Sequence, residues 1–203
     1  YFDRSQAGAA QAALDAFRSG RSVTASKTET FEGLRAWDGA RGAANPNTRV
    51  GKFTSLGGHG TGRSSVNGGT KLQVRNDDPW VWGRYNTSGV DGNWLDSNDT
   101  HGMRWQAEGL GKFNAIAFLL TDAADVGAKL SITADGETFA HRIGAQGRLA
   151  NGSIQFVRIL LPKAVDKLTV ELRNNKLNDG FGIDNATIAN VAPVPLPPAA
   201  LLR

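Results

Sequence analysis

The sequence predicts an all-β fold: a two-sheet antiparallel β-sandwich, jelly-roll-like, with one N-terminal amphipathic helix. Three observations predict it. Short runs of aliphatic and β-branched residues carry the two-residue alternation of half-buried strands. Gly, at 25 of 203 residues and helped by Asn and Asp, interrupts these runs at the close spacing of turns. Only one segment has a helical period. A chain of 203 residues is long enough for one domain with a sizeable core, so residues 1–190 are expected to form a single unit and 191–203 a Pro-rich tail.

The helix is expected at about residues 5–18, within the segment 5–20. Ala9, Ala13 and Phe17, and then Ala10 and Leu14, recur at spacings of three to four, and Gly20 is a stop signal. The strand period begins at about residue 22, where Thr28, Thr30 and Glu32 are expected on one face and Glu29 and Phe31 on the other. Segments 38–47 and 55–69 read as loops around a short strand at 49–54. Further strands are expected at 70–75, 80–86, 102–107, 114–121, 128–134, 138–143, 154–161, 167–173 and 181–190. After these, the prolines at positions 193, 195, 197 and 198 forbid a helix and favour an extended path.

Composition narrows the function. The formal charge is +4, but 23 Lys and Arg are interleaved with 19 Asp and Glu, so the clustered basic stripe of a nucleic-acid footprint is missing. With no cysteine there is neither a disulfide framework nor thiolate chemistry. No run reaches the roughly 18 apolar residues of a membrane span. Tyr1 is not an initiator residue, so either a mature form or an excised piece of a longer chain is expected, and a removed signal peptide is compatible with this. The histidines His59, His101 and His141 are solitary, and no nucleophile elbow, His-Glu-x-x-His or phosphate-binding loop occurs. A non-catalytic protein is expected.

Three constellations remain. Asp91, Asn93, Asp96, Asn98 and Asp99 crowd into nine positions, the oxygen-rich composition with which one loop can hold Ca²⁺. The spacing is not that of an EF-hand, and the alternative is turn capping. Glu32, near Glu29 on the first long strand, and Asp184 on the last one form a second candidate, because first and last strands of a jelly roll lie close together. Asp184 sits between Ile183 and Ala186, where a carboxylate is paired, hydrogen-bonded or bound to a metal. Glu32 and Asp184 are thus the first Ca²⁺ ligands expected, and Asp96, Asn98 and Asp99 the second set. The third constellation is aromatic: Trp80, Trp82 and Tyr85, with Trp94 near in sequence, offer a stacking platform for sugars, against the alternative that the tryptophans fill the space between sheets.

The tail resembles the VPLPA-type C-terminal sorting signal, a relative of the PEP-CTERM signals of Gram-negative bacteria, through Val194, Pro195, Leu196 and Pro197 followed by Pro198, Ala199 and Ala200. The body is similar to passengers of such signals in its front (FDRSQAGAAQAALDAF, TETFEG), its middle (GRYNTSGVDGNWLDSND) and its end (NDGFGIDNATIANV). The family's apolar helix and arginine cluster are missing after the motif, where a lone Arg203 closes the sequence. The resemblance implies a secreted or cell-surface protein processed by a membrane-embedded exosortase. The expected function is therefore a non-catalytic, calcium-stabilised component of an extracellular matrix or biofilm that associates with itself. A carbohydrate-binding module for exopolysaccharide is the alternative, and a polysaccharide hydrolase or lyase the third.

Overall fold

The computed structural model describes residues 1–38, 41–58, 71–76, 83–88, 92–97, 100–123, 127–134, 136–143, 150–174 and 179–192. Among these, one α-helix and twelve strands form two antiparallel sheets, the predicted sandwich. Helix α1 (Ala7–Arg18) follows a single 3-10 turn at Arg4–Gln6. The strands are β1 (Val23–Glu29), β2 (Asn47–Thr48), β3 (Gly51–Ser55), β4 (Gln73–Arg75), β5 (Trp94–Asp96) and β6 (Gly102–Ala107). They continue with β7 (Phe113–Thr121), β8 (Lys129–Ala134), β9 (Glu137–Arg142), β10 (Ile154–Val165), β11 (Leu168–Arg173) and β12 (Gly182–Val191). One sheet runs β10-β7-β12-β5-β4, with β1 also on β12; the other runs β2-β3-β6-β11-β8-β9.

The first and last strands do meet, as expected. β1 lies antiparallel on β12 from Val23 opposite Val191 to Glu29 opposite Ala186, so the domain's two ends are tied by a backbone ladder. The predicted alternation ends at Glu29, because Phe31 adopts φ +62° and turns its ring into the core. Glu29 Oε1 accepts the Phe31 N–H at 2.7 Å and holds that turn.

Between the sheets the core is aromatic. Trp105 of β6 stacks on Phe53 of β3 at 5.3 Å and meets Phe118 of the opposite sheet edge-on at 6.1 Å, and its indole N–H donates to the Val50 carbonyl at 2.9 Å. A second, smaller apolar cluster lies outside the first sheet, where Ala10 and Leu14 of α1 pack on Ala117, Leu119, Ile154 and Tyr85. The helix period read from the sequence is this contact.

β12 carries a bulge between Asp184 and Thr187. Asn185, at φ +54°, absorbs the extra residue. The bulge lets Ile183, Ala186 and Ile188 all enter the main core, while Asp184 is paired with Leu119 and so lies on the helix side.

Two expectations are corrected. The strand at 80–86 is irregular where described, from Gly83 to Ser88. The acidic loop contains a strand instead, since Trp94–Asp96 pairs with both β12 and β4 in the middle of a sheet. Ladder closeness also makes one glycine indispensable: Gly102 has φ +130°, and a Cβ there would lie 2.0 Å from the Leu172 carbonyl oxygen of β11. Gly102→Ala is expected to cost about 2–3 kcal/mol and lower Tm by roughly 5–10 °C in a thermal melt.

Candidate functional site

Three places concentrate polar or exposed apolar groups. The first is the floor beneath α1. Asp184 is buried, and its Oδ2 accepts the Thr87 N–H at 3.0 Å, the Thr87 hydroxyl at 2.8 Å and the Ser88 hydroxyl at 3.0 Å, while Oδ1 accepts the Asn185 N–H at 2.7 Å. Asn185 in turn donates to Gln11 Oε1 of α1 at 3.1 Å and to the Ser88 hydroxyl. Burial outweighs the four donors and pushes the Asp184 carboxyl up to about 6.

Glu32 serves a different segment. Its Oε1 accepts the Asn93 N–H at 3.0 Å, and Asn93 Nδ2 returns hydrogen bonds to the Phe31 and Leu34 carbonyls at 3.1 and 2.8 Å. A carboxylate offers about four acceptor positions, and Asp184 has four donors.

The second place is Asp96, fully buried in β5. Its Oδ1 lies 3.0 Å from Arg84 Nε and its Oδ2 lies 3.8 Å from Arg75 Nη1, with Arg84 itself buried and reaching Asp179 at 3.7 Å. Two guanidinium groups thus lie beside the carboxylate that the sequence offered to a metal. Asn98 and Asp99 lie outside the described residues. Among the described residues no three His, Asp or Glu side chains converge as a metal site.

The aromatic expectation is corrected at two positions. Trp94 is 0% exposed, and Tyr85 is 5% exposed with its hydroxyl donating to the Gly152 carbonyl at 2.8 Å and Arg4 lying 4.5 Å over its ring. Neither offers a face to a sugar. The physical reason is position: β5 is an interior strand, and Tyr85 belongs to the cluster beneath α1. Trp80 and Trp82 lie outside the described residues, as do Val194, Pro195, Leu196 and Pro197.

The third place was missed in the sequence. At one side of the sandwich the two sheets end in β9 and β10 and leave a groove of about 760 Å³ between them. Its floor continues the core through Ile132, Ile159, Leu161 and Val165, and its rim carries Glu137, Arg158 and Lys163. Phe139, 63% exposed, and Leu160, 57% exposed, stand in it. The one available signal was a lone Phe in the otherwise polar or small run ETFAHR. Such a run reads as an ordinary strand until the sheet order puts it at an edge, with no described strand on its far side.

No protein-family profile matches the chain, and no curated protein matches it in sequence. Solved structures similar to it include the K2 cleaved adhesin domain of Lys-gingipain, at 13% identity and a TM-score of 0.48 over 81% of this chain and 99% of that one. The C-terminal family 22 carbohydrate binding module of Clostridium thermocellum Xyn10B is 14% identical, with a TM-score of 0.37 over 88% and 99%. A family two carbohydrate esterase from Cellvibrio japonicus is 10% identical, with a TM-score of 0.32 over 84% and 37%. At these identities and scores the likeness carries nothing about ligand or activity.

Proposed function

We propose that the chain is a non-catalytic module of the cell exterior, a structural component of an extracellular matrix that associates with its own copies through the open side of the sandwich. The observation that carries this reading is the groove between β9 and β10, with Phe139 and Leu160 exposed over an apolar floor. Exposed apolar side chains beside an open sheet edge are what a protein–protein contact covers. The non-catalytic part draws support from the buried carboxylates, since Asp184 and Asp96 spend their oxygens on Thr87, Ser88, Asn185 and Arg84. Export and exosortase processing rest on the motif of Val194, Pro195, Leu196 and Pro197. Among the described residues, no helix is long and apolar enough to cross a membrane.

Sedimentation across a concentration series tests the reading. The wild type is expected to associate as concentration rises, and Phe139→Lys to weaken association by at least about tenfold, because a charge on an edge strand opposes pairing. A wild type that stays monomeric throughout overturns it.

A second reading, an exopolysaccharide chain lying in the same groove, is favoured by the aromatic face of Phe139 beside the hydrogen-bonding groups of Glu137, Thr138, Arg158 and Lys163. Electrophoresis through gels containing purified exopolysaccharide reads it with the same variant. Retardation of the wild type that Phe139→Lys abolishes, at concentrations where both are monomeric, favours the polymer over the second copy.

A further inference from the structure

Resting on the self-association proposed above, we propose the interface itself: β9 pairs antiparallel with β9 of a second copy about a two-fold axis, with Phe139 opposite Phe139 and Glu137 opposite His141. Among the described strands, the other free edges are guarded. β10 carries Pro162 and Lys163, β1 carries Lys27 and a register irregularity, β2 has two residues, and β4 has three with a backbone bridge from Ala44 to Gln73. β9 has six residues, all exposed, with neither Pro nor Lys. Guards of this kind are how sheets avoid edge-to-edge pairing, and in β9 the charged side chains Glu137 and Arg142 stand only at the two ends of the strand, leaving Thr138 to Ala140 without one.

The register follows from parity. Ala134 pairs with Glu137 across the β8–β9 hairpin, and the closing pair of a two-residue connection exchanges both of its hydrogen bonds. Glu137, Phe139 and His141 therefore bond to β8, and Thr138, Ala140 and Arg142 present their N–H and C=O groups to the free edge. A two-fold axis normal to the sheet keeps each face on the same side, so only residues of like parity can stand opposite one another.

Two central registers remain. Pairing Phe139 with Phe139 forms hydrogen bonds between Thr138 and Ala140 of opposite copies and leaves Phe139 in a non-hydrogen-bonded site, where side chains come closest. It also sets the Glu137 carboxylate against the His141 imidazole, acceptor to donor, twice. Pairing Ala140 with Ala140 instead sets Phe139 against His141 and Glu137 against Ile143, which leaves the carboxylate facing an apolar side chain. The first register matches aromatic to aromatic and acceptor to donor.

The inner face supports the same choice. Phe139 pairs with Ile132 and His141 with Leu130, so β9 extends the core-facing side of its sheet beyond the point where the opposite sheet covers it. A second β9 continues that face and covers the exposed Phe139 ring.

The absence of cysteine makes the test direct, since any disulfide must come from introduced residues. Single variants Glu137→Cys and His141→Cys are mixed and treated with oxidised glutathione, which takes up the two electrons and two protons of each new bond. The mixture is expected to give a disulfide-linked heterodimer that neither variant forms alone, with Phe139 left in place. Phe139→Cys is expected to link to itself about tenfold faster than Ala140→Cys, because only opposed positions meet disulfide geometry. Dimers in sedimentation without these links overturn the β9 register and leave self-association standing. Monomers in sedimentation at every concentration overturn both.

Discussion

Replacing Asp96 with alanine is expected to cost the fold about 3–5 kcal/mol, the loss that follows when one partner of a buried ion pair is removed. Asp96 and Arg84 are both out of contact with solvent, and the Arg84 Nε lies 3.0 Å from the carboxylate. Among the described residues, the guanidinium left behind would keep Asp179, at 3.7 Å, as its acidic neighbour and would still be buried. The pair also joins an irregular segment to the sheet: Arg84 belongs to the stretch that supplies Thr87 and Ser88 to Asp184, and Asp96 to an interior strand. Urea unfolding of Asp96→Ala, Arg84→Met and the combined Asp96→Leu/Arg84→Met chain reads this directly. The double variant is expected to recover much of the loss, because it leaves neither charge stranded. A double variant that loses the sum of the two single losses would show that the charges do not act as a pair.

The second large effect depends on pH. Burial lifts the Asp184 carboxyl from 3.8 to about 6, so the folded chain holds this proton more tightly than the unfolded chain. The stabilisation is present in full below about pH 4 and is lost as pH rises through about 6. A rise of that size corresponds to about 3 kcal/mol. The neighbouring hydroxyls suit both states, since Thr87 and Ser88 can donate to the carboxylate and turn to accept from the acid. Asp184→Asn removes the titration. It also sets an amide N–H₂ against the Asn185 N–H or the Thr87 and Ser88 donors, at a cost of about 1–3 kcal/mol. In unfolding curves between pH 4 and 7.5, the wild type should lose stability relative to Asp184→Asn as pH rises, so that the gap between them narrows. Parallel curves would assign the pH dependence to other groups.

Much of the β pattern was legible in the sequence. Residues 102–107 and 167–173 alternate apolar with polar, and that period is a property of one strand's own backbone. Helix α1 was legible for the same reason, since Ala10 and Leu14 fall on one face of a 3.6-residue repeat. β5 was not. Three residues are too few to show a period, and Trp94–Asp96 sits among Asn, Asp and Ser that signal turns.

The candidate sites divide along the same line. Asp184 was singled out because a carboxylate between Ile183 and Ala186 must be compensated, whatever the fold. What compensates it lies 97 and 96 residues away, at Thr87 and Ser88, and nothing local in either segment announces the other. The pairing of Asp96 with Arg84, the burial of Trp94 and the exposure of Phe139 are likewise consequences of which strands stand side by side. The sequence by itself determined where the chain is extended, where it turns and which side chains cannot be buried uncompensated, because these follow from short-range backbone geometry and solvation. Only the tertiary structure decided which charge meets which, and which of the described strands stands at an edge, because strand order joins residues far apart in the chain.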